Sequence, residues 1–82
     1  MFRSGMWSFN TTKMKRQAVD SSNLASVGYD PQTLEVEFKH GGIYQYYNVP
    51  KSVYDGLMNA SSHGQYFDRN IKKAGYRYSK VG

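Results

Sequence analysis

The residues best equipped for chemistry in this chain are Ser61, Ser62 and His63, together with the basic, tyrosine-rich run that follows them. Adjacent serine and histidine could supply a nucleophile and a base. Consecutive residues seldom reach the geometry that pairing needs, and no third group to orient the imidazole is evident. Serine here has a simpler use, ending one helix and capping the next. The stretch Ser62-His63-Gly64-Gln65 also suits an anion. A glycine-containing loop opening onto a helix N-terminus presents free backbone N–H groups. His63 would add a donor, and Lys72 or Lys73, one or two turns on, would add charge. The plainer reading is a capped helix start with no ligand. His40 and His63 are far apart and the chain has no cysteine, so the ligands for a metal are too few. No cofactor is expected. A domain this small rarely encloses a water-excluding site, which favours a binding module over an enzyme.

Single-strand binders stack bases on exposed rings beside basic side chains. Tyr47, Tyr76 and Tyr78 supply rings; Arg69, Lys72, Lys73, Arg77 and Lys80 supply charge. Most of the other tyrosines are expected to fill the core. The net charge of +5 is unevenly distributed. Arg3, Lys13, Lys15 and Arg16 leave residues 1–17 with no acid. All six acids fall within residues 18–68, against Lys39 and Lys51. Residues 69–82 are again purely basic. Basic ends of this kind attract polyanions, because neutralising phosphates releases condensed counterions. The same ends can equally be solvated and serve only solubility.

Eighty-two residues make one small domain. Such a chain buries only about 60 % of its unfolded surface, and its stability is on the order of 5 kcal/mol. Without disulfides or a metal, homodimerisation is the remaining way to widen that margin. Residues 1–17 lack the apolar run of a signal peptide, and no stretch approaches a membrane span. The chain reads as cytoplasmic, with no membrane partner.

The elements that must position these residues follow from periodicity. Residues 1–16 show no clear period and read as a basic arm, with Trp7 and Phe9 folding back onto the domain formed by residues 17–82. Asp20 to Asn23 is a polar turn and Leu24 to Tyr29 a short strand. Asp30-Pro31-Gln32 is a turn with proline at its second position. In Thr33 to Lys39, Leu34, Val36 and Phe38 alternate with Glu35, Glu37 and Lys39, predicting one buried and one wet face. Ile43 to Val49 is the return strand. A three-residue loop, His40 to Gly42, would set Phe38 opposite Tyr44 and Val36 opposite Tyr46, gathering rings and aliphatics on one face. Gln45 and Tyr47 would then face out beside the glutamates. Val53, Leu57 and Ala60 predict an amphipathic helix from Pro50 to Ala60, weakened by Gly56. Gln65 to Lys73 is a second helical segment, stopped by Ala74-Gly75. Tyr76 to Lys80 is a short last strand or an ordered tail. The fold class is α+β: an antiparallel sheet of about three strands, with one or two helices packed on one face.

Several of these residues, in this order, resemble the KTSC domain. They are Asp20-Ser21-Ser22, Val27-Gly28-Tyr29-Asp30, Leu34-Glu35-Val36-Glu37-Phe38, Gly42, Tyr44-Gln45-Tyr46, Val49-Pro50, Ala60-Ser61, Gly64-Gln65-Tyr66-Phe67 and Ile71-Lys72. The likeness spans nearly the whole chain beyond the arm. It implies a small domain that occurs alone in bacterial and phage proteins and at the C-terminus of some lysyl-tRNA synthetases. RNA binding is the function suggested for it, and no catalytic residues carry over. Three expectations follow. The first is a nucleic-acid module acting through the basic, tyrosine-rich surface. The second is a phage-type protein, acting in the host cytoplasm, that captures a nucleotide ligand. The third is a module that binds or inhibits a host protein through the arm.

Overall fold

The computed structural model describes residues 14–82. The predicted positions of Trp7 and Phe9 lie outside them. The chain runs β1 (Gln17–Ala18), β2 (Leu24–Asp30), β3 (Gln32–Phe38), β4 (Ile43–Val49), α1 (Lys51–Asn59), α2 (His63–Phe67), a π-helical turn (Asp68–Lys72) and β5 (Tyr78–Lys80). The five strands form one antiparallel meander in sequence order. The α+β class agrees with the sequence reading, but the sheet has five strands where about three were expected. The two additional strands flank the central three at either edge. β1 has two residues, too short for a period-2 signal to register, whereas the three residues of β5 fall within the Tyr76 to Lys80 segment offered as a last strand or an ordered tail.

The central hairpin keeps the predicted faces in a different register. Val36 pairs with Tyr44 and Leu34 with Tyr46. The loop is Lys39-His40-Gly41, beginning one residue earlier than predicted. Phe38 N–H donates to the Gly42 carbonyl and Gly41 N–H donates to the Phe38 carbonyl, each at 3.0 Å. Gly41, at φ 112°, takes the left-handed position that ends such a loop. A shift of two residues leaves every side chain on the same face, so the aromatic and aliphatic residues still meet.

That face carries the core. Leu24, Val27, Leu34, Val36, Tyr46 and Val49 from the sheet are buried against Leu57, Phe67 and Ile71 from the helical layer. Ser62 caps α2, accepting from Gln65 N–H at 3.2 Å. Gly56 has a packing reason that periodicity conceals. A methyl at this position would lie 2.1 Å from the Tyr66 hydroxyl and 2.6 Å from its ring. Gly56→Ala should therefore destabilise the fold by up to about 2 kcal/mol, because an overpacking cost of about 1–3 kcal/mol outweighs the gain of about 1 kcal/mol in helix propensity. A thermal melt reads the sign, and a raised midpoint would contradict this packing.

The second sheet face corrects the reading of it as wet. Glu35 is fully buried and Gln45 nearly so. Residues 14–16 cross this face beside Gly28, where a Cβ would come 2.6 Å from the Lys15 carbonyl oxygen and 3.0 Å from the Arg16 side chain. Arg16, which the charge tally groups with the N-terminal arm, is anchored here. Its guanidinium donates to Glu35 Oε2 and to Ser26 Oγ, and lies 3.6 Å from Glu37. Gln45 Nε2 donates to Glu35 Oε1 at 2.9 Å, and the Met14 N–H reaches Oε2 at 3.4 Å. Ser26 Oγ–H donates to Glu37 at 2.9 Å. Every described oxygen of the buried carboxylate thus has a donor, as low-dielectric burial requires.

Candidate functional site

The turn before β2 and the start of α2 come together on the helix side of the sheet. Ser21 Oγ accepts from the N–H groups of Asn23 and Leu24, at 3.2 and 3.3 Å, which fixes the turn. The Asn23 carbonyl accepts from Lys39 N–H at 2.8 Å, tying the turn to the β3–β4 loop. Gly64 packs beside it, since a Cβ there would lie 3.5 Å from Asn23 Nδ2. Two depressions open at this junction and share Asn23, Gly64 and Asp68. One, of about 480 Å³, is polar and carries Arg69 and Lys73 on its wall beside Ser22, Ser62 and Gln65. The other, of about 280 Å³, has Leu24, Phe38 and Phe67 at its bottom and His40 and Lys72 at its rim.

An aromatic run continues from the smaller depression along the sheet. His40 stacks on Phe38 at 5.5 Å, and Phe38 meets Tyr44 edge-on at 5.6 Å and Phe67 at 5.4 Å. Tyr78, from β5, lies 5.3 Å from Tyr46 and 6.2 Å from Tyr44. Tyr46 is buried under it, and burial, with the neighbouring Tyr78 and Tyr44 phenols adding, pushes its hydroxyl from 10.0 up to about 12. It stays neutral and supports the ring above it. Tyr78 is 61 % exposed, the one exposed large hydrophobic side chain among the described residues. β-pairing sets Lys80 opposite Tyr44 on the same face.

Charge collects at this end. Arg16 is held by glutamates, Lys51 by Asp55 and Lys73 by Asp68 at 3.2 Å. Among the described residues, Lys15, Lys39, Arg69, Lys72, Arg77 and Lys80 have no ion-pair partner, and of these Arg69 and Lys72 line the depressions.

The predicted site residues divide accordingly. Gly64, Arg69, Lys72 and Lys73 line the two depressions, and Tyr78 and Lys80 extend the aromatic run. Tyr47 stands on the opposite sheet face, where its hydroxyl bonds Ser79 Oγ. Tyr76 is half-buried against the core, and the Arg77 carbonyl accepts from Tyr47 N–H at 2.8 Å. His63 lines neither depression. Its Nδ1–H donates to the Leu57 carbonyl at 2.7 Å, closing the end of α1. That bond occupies the nitrogen, and Ser62 occupies the Gln65 N–H. Asn23, Phe38, His40 and Asp68 line the depressions and were not singled out from sequence. Their signal was weak: a polar turn abutting a strand, and two rings flanking a tight loop.

No helix of the described residues is long and apolar enough to cross a membrane. In none of them do three His, Cys, Asp or Glu side chains come close enough to hold a metal.

Residues 20–78 match the model of the KTSC domain. An uncharacterized protein of Stutzerimonas stutzeri (strain A1501) is 47 % identical over 70 residues, spanning 83 % of this chain and 99 % of that protein. A lysine–tRNA ligase of Nostoc sp. (strain PCC 7120) is 46 % identical over 55 residues, 65 % of this chain but only 10 % of the ligase. The crystal structure of a KTSC domain protein from Yersinia pestis superposes with a TM-score of 0.78 at 41 % identity, covering 83 % of this chain and 97 % of that one. The order of motifs from Asp20 to Tyr78, the five-stranded sheet and these relatives agree, and the chain is a member of the KTSC domain family.

Proposed function

We propose that this KTSC domain is a non-catalytic module that binds single-stranded nucleic acid, RNA in particular, through the two depressions and the aromatic run beside them. The observation that carries this reading is the junction of unpaired cations with an exposed ring. Arg69 and Lys72 stand without acidic partners beside an aromatic run that surfaces at Tyr78. Cations follow a phosphate backbone and rings accept bases of any kind, so the two together suit a single strand better than a duplex. The occurrence of a similar segment in lysine–tRNA ligases adds an RNA context. We place the module in the cytoplasm on the same grounds.

Tyr78→Ala tests the aromatic half. Removing a stacking ring costs ~1–3 kcal/mol per base, so affinity for a short RNA should fall about 5- to 150-fold. Because Tyr78 is exposed, its melting temperature should scarcely change. Fluorescence anisotropy with a labelled decamer reads the first and circular dichroism the second; unchanged affinity would remove the ring from the interface.

Capture of a small nucleotide is the second reading, and the size of the depressions favours it. Their volumes fall near or within the roughly 300–1,000 Å³ of small-ligand pockets. Such a ligand would bind one per site and with weak dependence on salt, whereas a strand contacting several cations would not.

A further inference from the structure

The smaller depression has a chemistry more selective than base stacking. Its bottom is apolar, formed by Leu24, Phe38 and Phe67. Its rim is polar and mixed in charge, with Asn23, His40, Asp68 and Lys72. At about 280 Å³ it lies at the lower bound of small-ligand pockets, which suits one base rather than a whole nucleotide. The larger depression shares Asn23, Gly64 and Asp68 with it, so a base in the first places its sugar and phosphate toward Arg69 and Lys73 in the second.

The rim groups are already oriented. Lys73 Nζ holds Asp68 through Oδ2 at 3.2 Å, and Oδ1 makes no described bond. His40 Nδ1–H donates to the Gly41 carbonyl at 3.1 Å, and its ring stacks on Phe38. Asn23 carries an amide that can donate. A carboxylate is an acceptor only and matches two donors side by side.

Among the four RNA bases, one edge offers that pair: the N1–H and N2–H₂ of guanine. On adenine and cytosine the amine adjoins a ring acceptor, and the uracil N3–H lies between two carbonyls. A carboxylate facing those edges is left against lone pairs, which is repulsive.

Resting on the single-strand reading above, we infer that the depression between the Asn23 turn, the His40 loop and Asp68 is a subsite for one unpaired guanine. Asp68 accepts from its N1–H and N2–H₂, and Asn23 or Lys72 donates to its O6. The domain would thus prefer strands that present an unstacked guanine, a preference that phosphate contacts alone cannot produce.

Four uridine pentamers with G, A, C or U at the centre test this against the full chain by fluorescence anisotropy at one fixed salt concentration. A good bidentate pair discriminates by about tenfold or more, so the G pentamer should bind at least that much more tightly. Asp68→Asn should bring the four affinities together, since its amide matches the donor edge no better than the others. Equal binding of all four pentamers, fading with salt, would leave the single-strand reading standing and overturn the guanine subsite. A preference for guanine that survives Asp68→Asn would overturn it as well. Failure of every pentamer to bind would defeat both readings together.

Discussion

Arg16→Ala is expected to destabilise the protein by about 3 kcal/mol, a large fraction of the ~5 kcal/mol available to so small a domain. The size comes from what is left behind. Glu35 is fully buried beneath Arg16, whose own side chain is 19 % exposed. Removing one partner of a buried pair strands the other charge, at a cost of roughly 3–5 kcal/mol; partial exposure of Arg16 puts this case at the lower end. The melting temperature should fall by about 12–24 °C for a chain of this length. Glu35→Gln introduced into the Arg16→Ala background should recover part of the loss, because it removes the stranded charge. Urea denaturation of the two variants checks both statements. A loss below about 0.5 kcal/mol, the size of an exposed pair, would mean that the guanidinium does not support the second face.

The combined change Arg69→Ala, Lys72→Ala and Lys73→Ala carries the largest expected effect on binding. Each phosphate neutralised on a single strand contributes about −0.7 to the slope of log K against log salt. Loss of three contacts should flatten that slope by about 2, which at 0.1 M salt amounts to about a hundredfold in affinity. The three side chains are exposed, so the fold should hold. Lys51→Ala is the control. It is exposed and paired with Asp55 on α1, away from both depressions, and should change neither slope nor affinity. A triple variant with the wild-type slope would place the strand elsewhere on the molecule.

How far the sequence foretells these features depends on the range of the interactions involved. Leu34, Val36 and Phe38 announce a buried strand face because alternation is local, and Ser62 announces a cap for the same reason. Alternation also places Glu35 and Gln45 on the opposite face, but it cannot say whether that face is covered. Coverage comes from residues 14–16, about twenty positions away, and only Gly28 hints at it. The hairpin register differs by two residues because the expected loop, His40 to Gly42, and the observed one, Lys39 to Gly41, both end on a glycine and keep the same faces inward.

The candidate site divides in the same way. Arg69, Lys72 and Lys73 are legible as a charge run, and Tyr78 as a ring beside it. Asn23, His40 and Asp68 are not, because two loops and a helical turn converge there only once the sheet is folded. His63 stands apart from the depressions for the opposite reason. Its sequence neighbours suggest an anion loop, whereas its ring closes α1 through the Leu57 carbonyl.

The most direct test of the account is a salt titration of the wild-type protein with a labelled single-stranded RNA decamer, followed by anisotropy from low to physiological ionic strength. Binding that weakens linearly in log K against log salt, with a slope of about −2 or steeper, is the expected result. Absence of binding at the lowest salt, or an affinity indifferent to salt, would contradict the claim that this face of the domain holds a nucleic-acid strand.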